Sequence, residues 1–132
     1  MSEDLVQFLR DRLDEDERLA RLALDQTGDN WRAYYKQIIA TNPRFGEDPA
    51  DANTAEVADH IARHDPTRVL AEVDAKRKTV ALCEPPLVDV TGPSDTERSY
   101  VPGEGPPWGM DVLKLLALPY ADRPGYREEW RP

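Results

Sequence analysis

A chain of 132 residues with a net charge of −9 and a single cysteine, Cys83, sets bounds before any element is read. The length fits one domain over residues 1–132 with a modest core. The acidity disfavours direct binding to a nucleic-acid backbone or an anionic membrane, since both need clustered Lys and Arg, and one cysteine excludes an internal disulfide or a cysteine-rich zinc cluster.

Mean hydropathy is low, −0.71, and no apolar run approaches the length of a membrane span. The N-terminus, MSEDLVQF, is acidic and lacks the basic start and apolar run of a signal peptide. A soluble, cytoplasmic protein is expected.

Ser2 suits a helix N-cap, with Glu3 and Asp4 in the first turn where the helix dipole favours negative charge. Leu5, Leu9 and Leu13 recur every four residues, and Ala20, Ala23 and Leu24 continue the stripe. This predicts a helix over residues 3–24, ended by a turn at Gly28. Trp31, Tyr34, Tyr35, Ile38 and Ile39 fall at i, i+3, i+4, i+7 and i+8, so a second helix is expected, stopped at Asn42-Pro43. Residues 44–52 read as loop.

Asn53 with Glu56 resembles a capping box opening a helix whose inner face would hold Val57, His60, Ile61 and His64. Asp65-Pro66 then makes a corner. The residue before proline leaves the α region, while proline suits the first helical position and Asp65 can cap the next turn. A helix from Thr67 to about Cys83 follows.

Residues 84–109 are rich in Pro and Gly and read as a loop or tether, with a hairpin pairing residues 87–90 and 98–101 as one way to order it. MDVLKLLAL, residues 110–118, is a short apolar helix stopped by Pro119, expected to be buried on more than one side. In the tail, Tyr126 and Trp130 are spaced to share one face of a last helical turn. The fold expected is mainly α: a bundle of four to five helices with a long Pro/Gly-rich loop before the last.

Three stretches carry a resemblance. HIARHDPTRVLAEVDAKR (60–77), LLALPYADRPGYREEWRP (115–132) and FLRDRLDEDERLAR (8–21) are similar to the signature segments of a domain-of-unknown-function family, family 6221, from actinobacteria and their phages. The resemblance implies an actinobacterial or phage origin and no established activity. The tail departs from the family pattern at Arg123, where a histidine is usual.

Four chemical leads stand beside it. His60 and His64, at i and i+4, present two imidazoles on one side of a helix, the geometry of helical zinc sites. Asp65, Asp59 or a carboxylate from residues 14–17, Asp14 and Glu17 foremost, would complete a zinc or manganese site. The intervening Ile61, Ala62 and Arg63 leave no HExxH, and histidines near a helix end also serve by bonding free carbonyls. The acidic run 14–17, with Asp59 or Asp74, could hold a divalent cation, but no second acidic motif faces it and it reads first as a solvated helix face. Cys83, at a helix C-terminus, lacks the setting that makes a thiolate. Trp108, Tyr126 and Trp130 are candidates for a partner surface, against the alternative that aromatics plug a small core.

No catalytic residues and no cofactor are read from the chain. The function expected is an acidic accessory or regulatory protein acting by protein–protein binding. The alternatives are a metal-dependent hydrolase on the His/carboxylate residues and an acidic mimic of nucleic acid.

Overall fold

The computed structural model describes residues 2–40 and 49–132. The expected stop at Asn42-Pro43 and most of the loop at 44–52 lie outside the described residues, as does the Ser2 side chain. Four α-helices are described: α1 (Ser2–Thr27), α2 (Ala55–Arg63), α3 (Pro66–Cys83) and α4 (Gly109–Ala117). Five short strands join them, β1 (Trp31–Tyr34), β2 (Gln37–Ala40), β3 (Ala50–Asp51), β4 (Leu87–Asp89) and β5 (Tyr100–Pro102), forming two small antiparallel sheets. The mainly-α bundle is therefore corrected to a mixed α/β fold. The chain divides into two compact units, one of Met1–Asp11 with Arg77–Pro132, the other of Arg12–Lys76.

In the Arg12–Lys76 unit, the expected second helix is a β-hairpin. Trp31 pairs with Ala40 and Tyr34 with Gln37, leaving Tyr35 and Lys36 as the turn. The helical spacing of Trp31, Tyr34, Tyr35, Ile38 and Ile39 is coincidental. The inward residues are Ile38 and Ala40, two apart, as a pleated strand demands. Nothing in the turn announces it: Tyr35 takes φ 53°, a left-handed conformation that Gly or Asn ordinarily fills.

Helix α2 lies on this sheet. Ala58 and Ala62, one turn apart, are buried with Ile38, and Trp31, Ala33, Ala52 and Ile61 pack around them. Two alanines let the helix backbone approach closely. The inner face is thus Ala58–Ala62; Val57, His60 and His64 are exposed. The cap is Thr54 rather than Asn53, its hydroxyl accepting from the Val57 N–H at 3.2 Å.

The Asp65-Pro66 corner is where α2 stops and α3 begins. Asp65 is only 9% exposed. One carboxylate oxygen accepts from the Arg68 N–H at 2.8 Å, capping α3. The other accepts from the Trp31 N–H at 3.1 Å, which starts β1. Thr67 Oγ1 donates to the Asp29 carbonyl at 3.1 Å beside it. Gly28, at φ 106°, ends α1 as expected, and the Trp31 indole N–H donates to Thr27 Oγ1 at 3.0 Å.

In the other unit, Leu5, Val6, Phe8 and Leu9 of α1 are buried, as are Val80 and Cys83 of α3, Leu113 and Ala117 of α4, and Tyr120 and Trp130 of the tail. Helix α4 buries one side only; Leu115 is exposed. A Cβ on Gly109 would meet the Cys83 carbonyl oxygen at 2.7 Å, so α4 starts where only glycine fits. Residues 118–120 and 128–130 form single 3-10 turns.

Replacing Asp65 with Ala removes a helix cap and orphans the partly buried Trp31 N–H. Together these should cost about 2–3 kcal/mol in urea denaturation. Asp65→Asn keeps one acceptor oxygen and should cost distinctly less.

Candidate functional site

His60 and His64 stand on the last turn of α2 and at its C-cap, with ring centroids 4.7 Å apart. His64 Nδ1 donates to the His60 carbonyl at 2.8 Å, so this ring satisfies a free carbonyl at the helix end. Glu17 pairs with Arg21 at 3.2 Å on α1, and Asp14 is exposed. The α1 carboxylate that lies near a histidine is Asp16. It and His64 line one mostly apolar recess of about 250 Å³, with Leu19, Ala20, Trp31 and Val69. Among the described residues, no three His, Cys, Asp or Glu side chains are grouped to hold a metal. Cys83 is buried, and burial pushes its thiol up, away from thiolate.

The three aromatic candidates separate sharply. Trp130 is 4% exposed. Its ring lies 5.2 Å from Phe8 and 5.7 Å from Tyr126, and Tyr126 stands edge-on to Phe8 at 5.8 Å. This trio is core, not a last helical turn with an outward face. Gly125, at φ 92°, makes the turn that folds the tail inward. Arg127 reaches over the Trp130 ring and pairs with Asp4 at 3.1 Å, tying the tail to α1. Trp108, by contrast, is 51% exposed at the start of α4.

A further exposed apolar feature of this unit is one the aromatic pattern did not mark. Strands β4 and β5 pair Leu87 with Pro102, Val88 with Val101 and Asp89 with Tyr100, one residue out of the register read from the sequence. Val88, Val90 and Val101 share one face of the ribbon; Leu87 and Tyr100 share the other. Both faces are exposed, Leu87 by 70%. Among the described residues no third strand joins either edge.

Burial contributes little to this ribbon; the backbone ladder, flanked by the Val90 N–H to Ser99 carbonyl and Gly103 N–H to Pro86 carbonyl bonds at 2.9 and 2.7 Å, is reinforced by side-chain hydrogen bonds. Asp89 Oδ1 accepts from the Thr91 N–H at 2.9 Å and from the Thr91 hydroxyl, and Asp89 Oδ2 accepts from Arg98 at 2.7 Å. Thr91 Oγ1 accepts from the Ser99 N–H at 2.9 Å, and Asp95 accepts from the Gly92 N–H at 2.7 Å. The Thr91 hydroxyl and N–H, then Arg98, hold the Asp89 carboxyl below its ordinary value. At the foot of the ribbon a groove of about 290 Å³ runs between Val6, Gln7, Pro85, Leu87 and Pro102, rimmed by the Arg10–Glu84 ion pair.

The profile of a family of unknown function, DUF6221, matches residues 2–132. The chain belongs to that family. No match to it was found among curated proteins or solved structures. Membership of DUF6221 thus spans the histidine corner, the aromatic trio and the exposed ribbon without assigning a role to any. Among the described residues no helix of this DUF6221 chain is long and apolar enough to cross a membrane.

Two expectations follow. Trp130→Ala should cost about 3–4 kcal/mol in thermal or urea unfolding, as emptied aromatic core sites do. Trp130→Phe should cost far less, since the indole N–H has no acceptor among the described residues. The lowered Asp89 carboxyl stabilises the ribbon above the ordinary range near 3.8 and ceases to as pH falls through its lowered value. The protection of the Thr91 and Ser99 amides, relative to their intrinsic exchange rate at each pH, should therefore fall in acid, and Asp89→Asn should flatten that dependence.

Proposed function

We propose that the protein is a small accessory or regulatory protein that acts by binding another protein, with the β4–β5 ribbon as its docking surface. The observation that carries this is a two-stranded ribbon with apolar side chains open on both faces. An isolated hairpin of this size is marginal in water, and exposed apolar patches mark interaction sites.

Five carboxylates, Glu84, Asp89, Asp95, Glu97 and Glu104, lie in and around the ribbon segment, against the guanidinium groups of Arg98 and of Arg10, which pairs with Glu84. The partner that complements this is an apolar strand or face rimmed by Lys and Arg. Backbone edges supply strand pairing, and the carboxylates supply steering and register. Trp108 is a further exposed aromatic of the same unit, and the Val6–Leu87 groove offers a pocket for one side chain. The resemblance in residues 8–21, 60–77 and 115–132 supports an actinobacterial or phage setting for that partner. The buried Cys83 thiol is in keeping with a reducing cytoplasm.

The test compares wild type with a Val88→Ser, Val101→Ser variant as bait in actinobacterial lysate. The thermal midpoint should barely move, because both residues are exposed. A specific partner should be retained by wild type, be released by raised salt, and bind the variant about tenfold more weakly. Equal retention by both baits would rule the ribbon out as the docking surface.

A further inference from the structure

The Arg12–Lys76 unit carries a second concavity, of about 600 Å³, on the β1 side of the Asp65-Pro66 corner. Its lining includes three arginines, Arg32 on β1, Arg63 at the end of α2 and Arg68 in the first turn of α3, together with Trp31. Three arginines against two carboxylates, Asp59 and Asp65, in one lining run against the character of a chain with net charge −9.

The carboxylates nearby are already committed. Asp65 gives its two oxygens to the Arg68 and Trp31 N–H groups. Asp59 pairs with Arg63 through one nitrogen at 3.3 Å. Glu72 takes the Arg68 Nε–H at 3.0 Å, and Arg68 also donates to the Arg63 carbonyl at 3.1 Å. A guanidinium has five N–H donors, so Arg63 and Arg68 are held in place with donors to spare. Arg32 has no ion pair or side-chain hydrogen bond among the described residues. The first turn of α3 contributes little of its own: Pro66 has no N–H, and the Arg68 N–H belongs to Asp65. The attraction rests on the side chains.

We infer that this concavity binds a phosphate group. A carboxylate is satisfied by one bidentate arginine. A phosphate dianion presents three equivalent oxygens and is matched by several guanidinium forks at once. The half-buried Trp31 indole adds an apolar wall, which favours a phosphate ester carrying an organic group over free phosphate. This inference does not rest on the docking role of the ribbon.

The probes are phenyl phosphate and inorganic phosphate, titrated calorimetrically into the full chain at low salt, with benzoate and sulfate for comparison. Saturable phosphate binding in the millimolar range is expected, with the Trp31 indole resonance shifting in parallel. Arg32→Ala should leave the ligand-free melting temperature unchanged and weaken binding about tenfold. Arg32→Lys should restore the charge and only part of the affinity, because an ammonium lacks the fork. Tighter binding of phenyl phosphate assigns the site to phosphate esters, and equal binding assigns it to the free anion; either supports the inference. It is overturned by absence of saturable binding, by an equal response to sulfate and benzoate, or by an Arg32→Ala variant that binds as wild type does. Arg68→Ala is a poor test, since it also removes contacts to Glu72 and the Arg63 carbonyl.

Discussion

A buried carboxylate normally needs a counter-charge, and among the described residues none pairs with Asp65. It is held instead by two backbone N–H groups and by the positive end of α3. Because the two donors come from residues 34 apart and 3 apart in sequence, one side chain sets a local event and a distant one together. It fixes where α3 begins and where β1 begins. Everything else in the Arg12–Lys76 unit follows from that placement: the strand carries Trp31 and Ala33 to α2, and the corner turns Arg63 and Arg68 onto one side. Both the histidine recess and the arginine concavity open on residues of this corner.

The two units are built by different means. The Arg12–Lys76 unit relies on small side chains, with Ala58 and Ala62 bringing a helix close to Ile38. Close packing of this sort tolerates little added volume. The other unit relies on large ones. Phe8, Tyr126 and Trp130 meet edge to face, and their mutual geometry contributes beyond the area they bury. Arginines 127 and 131 then cover two of the rings, over Trp130 and Tyr126 respectively.

Much of the helical framework was legible in the sequence. The Leu5–Leu9–Leu13 stripe, the Gly28 stop and the Asp65-Pro66 corner each rest on a local rule, and each stands where that rule put it. The β1–β2 hairpin was not legible. Its strands are four residues long, too short for alternation to outweigh a helical coincidence, and its turn is Tyr-Lys rather than Asn-Gly. The face of α2 was misread because alanines, not the larger Val57, turn inward. Which aromatics are core could not be read at all, since Trp130 owes its burial to a tail that returns to Phe8 across more than a hundred residues. The arginine cluster was invisible for the same reason: residues 32, 63 and 68 are neighbours only after the corner has formed. The exposed ribbon did leave a signal, in the aliphatic residues of an otherwise Pro- and Gly-rich stretch.

The way the ribbon is fastened has a dynamic consequence. Its hydrogen bonds through Asp89, Thr91, Arg98 and Ser99 lie in solvent, where each is worth little against water. Segments of that kind open at a free energy well below that of buried helix positions such as Leu5 and Leu9. The ribbon is therefore a subglobal unit with its own opening equilibrium. Among the described residues it is a stretch open to proteases, and a partner that captures it would slow cleavage there without raising the stability of the helices.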